Sequence, residues 1–181
     1  MSQAGSVILV GMPGAGKSTL GVMLAKALAK DFVDTDLLIQ LRAGQTLQQV
    51  LDEQGYQALR ALEEQTLLGC NFTNHIVATG GSAVYSEKGM AHLSAYGTIV
   101  YLDVALEELG RRISDYETRG IARRPDQSFE DLFAERQALY RRYADVIVDC
   151  NGLDQTQALE FVISELTRSG QAATERGHCD H

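Results

Sequence analysis

The 181-residue sequence predicts an α/β fold, a three-layer sandwich in which a five-stranded parallel sheet is flanked by helices. Three observations predict it. Five short apolar runs are separated by stretches with helical spacing, which is the pattern of strands joined by right-handed crossovers. The first run ends in a glycine-rich loop that opens directly into a helix. No break in composition divides the chain, and its length suits one domain with a substantial core.

The first strand is Val7-Ile8-Leu9-Val10, followed by Gly11-Met12-Pro13-Gly14-Ala15-Gly16-Lys17-Ser18-Thr19. That loop fits G-x-x-x-x-G-K-[ST] at every fixed position, and Leu20, Met23, Leu24, Ala27 and Leu28 then recur at helical spacing. Glycines let successive backbone N–H groups turn inward, and the helix start adds partial positive charge at the same spot. The loop predicts a nucleotide polyphosphate cradled by Gly14, Ala15, Gly16, Lys17, Ser18 and Thr19. Lys17 reaches the terminal phosphates, and the Ser18 hydroxyl ligates a magnesium ion.

Asp31-Phe32-Val33-Asp34-Thr35-Asp36 reads as a second strand. In extended chain, positions i and i+2 face the same way. Asp34 and Asp36 are therefore expected to point together beyond the strand tips, where ligands of open parallel sheets bind. Residues 37–70 read as mainly helical, punctuated by Gly44 and Gly55, with Arg60 and Glu63 at i, i+3 as a surface ion pair. His75-Ile76-Val77-Ala78 is the third strand, closed by Thr79-Gly80-Gly81-Ser82, where backbone can approach a ligand closely.

Thr98 to Asp103 is the fourth strand. Asp103 competes with Asp34 as a magnesium ligand; its place before the helical stretch Ala105 to Ile113 assigns it to capping, which leaves the metal to Ser18 and Asp34. Residues 114–127 are polar, contain Gly120 and Pro125, and concentrate Arg119, Arg123 and Arg124. They read as a lid able to close positive charge over phosphates. Phe129, Leu132, Phe133, Leu139, Tyr140 and Tyr143 mark a helix that carries Arg136, and Val146-Ile147-Val148 is the fifth strand. A last amphipathic helix spans Thr156 to Arg168. The domain is drawn over 1–169, with 170–181 a disordered polar tail whose His178, Cys179 and His181 have no assigned role.

A net charge of -8 argues against a nucleic-acid or anionic-membrane surface. Three cysteines without metal-type spacing read as free thiols in a reducing compartment. With no charged-then-apolar leader and no run of membrane-spanning length, the cytoplasm is the expected location. A guanine-specific switch would be expected to carry Asn-Lys-x-Asp, which is absent.

Taken together, these motifs in this order resemble the shikimate kinase family of phosphate-loop small-molecule kinases, whose fold is of the nucleoside-monophosphate-kinase type. The likeness runs over roughly residues 6 to 168. It rests on Gly11 to Thr19, Asp34-Thr35-Asp36, Gly55 through Leu59-Arg60 to Glu63, Ala78-Thr79-Gly80-Gly81, and Arg136, Leu139-Tyr140 and Ala144-Asp145. The chain departs from the family pattern at Leu59, where an aromatic stands, at Ser82, the third glycine of a triplet, and at Asp126-Gln127 in the lid.

The resemblance implies transfer of the ATP γ-phosphate to the 3-hydroxyl of shikimate. Lys17, Asp36 and Arg124 would be catalytic, Asp36 orienting or deprotonating the attacking hydroxyl and Arg124 serving as the lid arginine on the nucleotide. Arg60 and Arg136 would clamp the acceptor carboxylate, beside backbone contacts from Gly80 and Gly81. The partners implied are ATP, Mg2+ and a small anionic substrate, with a monomer and neither nucleic acid nor membrane involved. Another small hydroxylated carboxylic or sugar acid stays open as acceptor, and a nucleotide switch stands as the reading from another class.

Overall fold

The computed structural model describes residues 5–113 and 120–176, with side chains described to residue 169. Arg119 of the expected lid, and His178, Cys179 and His181 of the tail, lie outside the described residues.

Five parallel strands form the sheet: β1 (Ser6–Val10), β2 (Asp31–Asp34), β3 (His75–Ala78), β4 (Gly97–Asp103) and β5 (Val146–Asp149), in the spatial order β2-β3-β1-β4-β5. The register sets Leu9 beside Ala78 on one side and Val100 on the other. All five residues of β1 are buried, as expected of a central strand covered on both faces, whereas the edge strand β5 alternates buried and exposed. The helices are α1 (Lys17–Leu28), α2 (Thr35–Ala43), α3 (Leu47–Leu68), α4 (Glu87–Ser94), α5 (Leu106–Arg112), α6 (Phe129–Tyr143) and α7 (Gln155–Arg176). Because every strand runs the same way, the phosphate loop, Asp34, the Thr79–Ser82 turn and the Asp149–Gly152 turn all emerge at one edge.

The layered α/β prediction is the fold observed. Gly44 ends α2 in the left-handed region, and a capping box of Thr46 and Gln49 starts α3. Gly55 (φ 83°, ψ 171°) kinks α3 and reorients its second half. The sequence reading gave no element to residues 83–97, which hold a short 3-10 turn (Ala83–Tyr85) and α4. Helix α7 begins one residue earlier than expected and runs past Arg168 to Arg176, into residues assigned to the tail.

Two expectations at the strand ends are corrected. The second strand stops at Asp34 rather than reaching Asp36: the Asp34 side chain caps α2 by accepting the Asp36 N–H at 2.9 Å, so the chain turns helical at Thr35. Asp103 is not a helix cap. Its carboxylate is bound by the Tyr101 hydroxyl and by Arg141 of α6, while the N-cap of α5 is Ala105, whose N–H donates to the Asn151 side chain at 2.7 Å. Arg141, remote in sequence, takes the carboxylate that local spacing offered to the helix.

Candidate active site

The phosphate loop depends on glycine. Gly14 and Gly16 sit at φ 83° and 92°, in the left-handed region that side chains disfavour, and the Ala15 N–H closes a turn on the Met12 carbonyl at 3.1 Å. Helix α1 has Gly16 as its N-cap, with no side-chain cap and no acidic residue in its first turn. Its leading N–H groups and the positive end of its dipole are thereby left for an anion. Lys17 is 8% exposed, and its ammonium donates to the carbonyls of Gly11 and Met12 at 2.7 and 2.9 Å. Burial holds its pKa down to about 8, with Asp36 pulling upward and Arg136 adding to the fall.

This loop opens on a cavity of about 930 Å³ lined by Gly14 to Thr19, by Asp36, Glu63, Gly81 and Arg136, and by Arg112 and Asp154. Asp34 stands beside it. One of its carboxylate oxygens caps α2, and the other accepts the Ser18 hydroxyl at 2.5 Å. A hydroxyl and a carboxylate side by side are hard oxygen ligands. Among the described residues no cluster of three or more His, Cys, Asp or Glu side chains placed to hold a metal occurs.

Asp36, in the first turn of α2, keeps its place in the cavity by a route other than the one predicted. Burial, and then the charge of Asp34, raise its pKa to about 6 against the pull of Lys17 and Arg136. The N–H of Gly80 donates to the buried Thr35 hydroxyl at 3.0 Å, which ties the start of α2 to the turn after β3. A Cβ at Gly80 would stand 2.5 Å from Glu63 Oε1 and 2.6 Å from Asp36 Oδ1; one at Gly81 would stand 2.6 Å from Arg136 Nη1. A side chain at either position would have to displace those charged groups.

Arg136 is 1% exposed. Its Nη2 donates to the Ala122 carbonyl at 2.7 Å, and its Nε is buried without a hydrogen-bond partner. Arg60 does not line the cavity. Its guanidinium carbon lies 3.5 Å from the centre of the Tyr85 ring and 5.1 Å from that of Tyr56, with Nε and Nη2 buried and unpartnered. Since the Arg136 guanidinium lies 5.6 Å from the same Tyr85 ring, the two cations gather at one aromatic side chain.

The expected surface pair of Arg60 and Glu63 does not form. Glu63 is 3% exposed; one oxygen accepts the Ser82 hydroxyl, and the other is buried without a partner. Burial, reinforced by Asp36 and opposed by the Ser82 hydrogen bond, raises its pKa to about 7. The spacing implied a shared helix face, but that face of α3 meets the turn after β3, where Ser82 takes Glu63 and the Tyr85 ring takes Arg60.

The structure does not bring Arg124 to the phosphate loop. Its guanidinium pairs with Glu135 at 3.1 Å and is not among the residues lining the cavity, while Arg123 donates to the Gln127 carbonyl at 2.6 Å. Among the described residues of the expected lid, Gly120, Ile121 and Ala122 line the cavity. Sequence reasoning missed Thr35, Tyr85 and Glu135. Tyr85 and Glu135 carried no local signal, whereas Thr35, between two carboxylates at a strand end, could have been read as a hydrogen-bonding tie.

A phosphate loop on the central strand of a parallel sheet, sharing one cavity with a buried carboxylate and a buried arginine, defines the class of phosphate-loop small-molecule kinases. A family model described as shikimate kinase matches residues 13–167, and the chain belongs to that family. It is 36% identical over 177 residues to the shikimate kinase of Mycobacterium avium (strain 104), covering 94% of this chain and 99% of that one. Shikimate kinase 2 of Enterobacter sp. (strain 638) is 32% identical over 165 residues, covering 88% and 92%. Among solved structures, the shikimate kinase of Acinetobacter baumannii in complex with shikimate superposes with a TM-score of 0.84 at 26% identity, covering 93% and 96%. The thymidylate kinase of Candida albicans shares the fold, with a TM-score of 0.66 at 14% identity over 93% of each chain.

Proposed function

We propose that this protein is a shikimate kinase, transferring the γ-phosphoryl group of ATP to the 3-hydroxyl of shikimate. The observation that carries the reading is the position of Asp36: a buried carboxylate lining the same cavity as Lys17 and Arg136, and electrostatically coupled to both. An acceptor whose carboxylate is anchored at Arg136, with Arg60 next to it at the Tyr85 ring, would present its hydroxyl to Asp36 beside the phosphate loop. Family membership and the shikimate-bound structural relative support the choice of acceptor.

The acceptor oxygen attacks the γ-phosphorus, the bond from that phosphorus to the β,γ-bridging oxygen breaks, and the hydroxyl proton passes to Asp36 and on to solvent. Burial lifts Asp36 toward neutrality and makes it a stronger base than an exposed aspartate. Lys17 and the first-turn N–H groups of α1 hold the phosphates, so that positioning and charge neutralisation supply most of the rate. Ser18 and Asp34 would hold Mg2+, which neutralises phosphate charge when bound. The proposed enzyme works as a cytoplasmic monomer on a small anionic acceptor.

An acceptor screen with ATP and Mg2+ tests this. Shikimate is expected to drive ADP release and to yield shikimate 3-phosphate, with quinate, gluconate and nucleoside monophosphates far slower. Faster turnover with gluconate or quinate would replace shikimate as the acceptor, and hydrolysis indifferent to any acceptor would overturn the kinase reading.

A further inference from the structure

Arg60 is held in an unusual way. A guanidinium paired with a carboxylate spends its donors on that partner. Held by its face against a ring, it is fixed in place while its N–H donors are not spent on a protein acceptor. Here the face lies 3.5 Å from the centre of the Tyr85 ring, and Nε and Nη2 are buried with no hydrogen-bond partner. The ring is itself anchored. Its hydroxyl donates to Glu135 Oε1, and the other oxygen of Glu135 accepts from Arg124 Nη1 and Gln127 Nε2, each at 3.1 Å. Glu135 precedes Arg136 on α6, and the Arg136 guanidinium lies 5.6 Å from the same ring.

We propose that Tyr85 is the positioning residue of the acceptor site: its ring holds the Arg60 guanidinium by the face beside the cavity, with Nε and Nη2 committed to no protein acceptor and so kept for an anionic acceptor that reaches them, and its hydroxyl is locked through Glu135 to Arg124 and Gln127. This assigns Arg124 an anchoring role in place of a phosphate contact. The ring, more than the hydroxyl, sets acceptor affinity. The inference rests on the shikimate reading only for the identity of that acceptor.

The test compares Tyr85→Phe, which keeps the ring, with Tyr85→Leu and Tyr85→Gln, which remove it; Tyr85 is only partly buried, and two ringless variants guard against one failing to fold. KM for shikimate is expected to rise roughly tenfold in the ringless variants, which is about 1.4 kcal/mol and within the range of a partly desolvated cation–π contact. Tyr85→Phe should stay within about twofold, and KM for ATP should stay within about twofold in all three. An unchanged shikimate KM without the ring, or an equal rise in both KM values, overturns the proposal. A second readout is independent of the acceptor: phenylglyoxal labelling of Arg60, followed by mass spectrometry, with the exposed Arg111 as internal control. Arg60 should label several-fold faster in Tyr85→Leu and Tyr85→Gln and at the native rate in Tyr85→Phe; equal rates throughout overturn the proposal. A wild-type protein that ignores shikimate would refute the acceptor assignment, and the labelling would still decide the role of Tyr85.

Discussion

At the scale of single residues, the site is a set of ionisable groups displaced from their ordinary states by burial. Lys17 is pushed down to about 8, while Asp36 and Glu63 are pushed up to about 6 and about 7. For Asp36 the direction has a kinetic consequence. The base must be unprotonated, and its pKa in the free enzyme sets the acid limb of kcat/KM. Activity is therefore expected to fall as pH drops below about 6, rather than below the usual aspartate range near 4. Asp36→Asn should remove that limb and lower kcat by about 100-fold or more, the common worth of a positioned general base. A pH–rate profile with both substrates below saturation reads the limb, and kcat at saturation reads the loss. An acid limb that persists in the asparagine variant would move the base to another group.

At the scale of elements, what sequence shows and what it hides divide by distance along the chain. The phosphate loop was legible because a strand, a glycine turn and a helix start fix its geometry within about ten residues. The pair Asp34 and Asp36 was legible as chemistry and misread as geometry, since a two-residue spacing does not reveal that the first carboxylate caps a helix beginning between them. Arg60 was found through a motif, but its support on Tyr85 was not, because that ring comes from a 3-10 turn after β3 and its anchor, Glu135, from α6. The turn after β3 also carries a sharp prediction. A Cβ at Gly80 meets two oxygens at 2.5 and 2.6 Å, both attached to carboxylates already held, Asp36 by the start of α2 and Glu63 by Ser82. Gly80→Ala must displace one of them, and steady-state kinetics should show kcat/KM for shikimate down by roughly tenfold or more with KM for ATP nearly unchanged. A rise in the ATP KM alone would place Gly80 on the nucleotide side.

At the scale of the whole molecule, the sheet gathers anion-binding groups at one edge of a protein whose net charge is -8. That concentration of function costs stability. Glu63 carries a carboxylate oxygen that is buried without a partner, and its folded pKa of about 7 exceeds the ordinary 4.5. A raised acid binds more protons in the folded state than in the unfolded one, so its contribution to stability falls as pH rises from about 4.5 to about 7 and is level above that. Replacing it with glutamine removes the titration while keeping an acceptor for the Ser82 hydroxyl. The stability of Glu63→Gln minus that of the native protein should therefore climb through this window, by at most about 1.4 kcal/mol per pH unit. For a chain of this size each kcal/mol moves Tm by about 2–4 °C. Calorimetry of both proteins at pH 5 and pH 7.5, without nucleotide, is the measurement. The variant should gain on the native protein at the higher pH. A Tm difference that is the same at both values, or that shrinks on raising the pH, would mean that Glu63 folds as an ordinary ionised glutamate and that the site does not strain the fold at this residue.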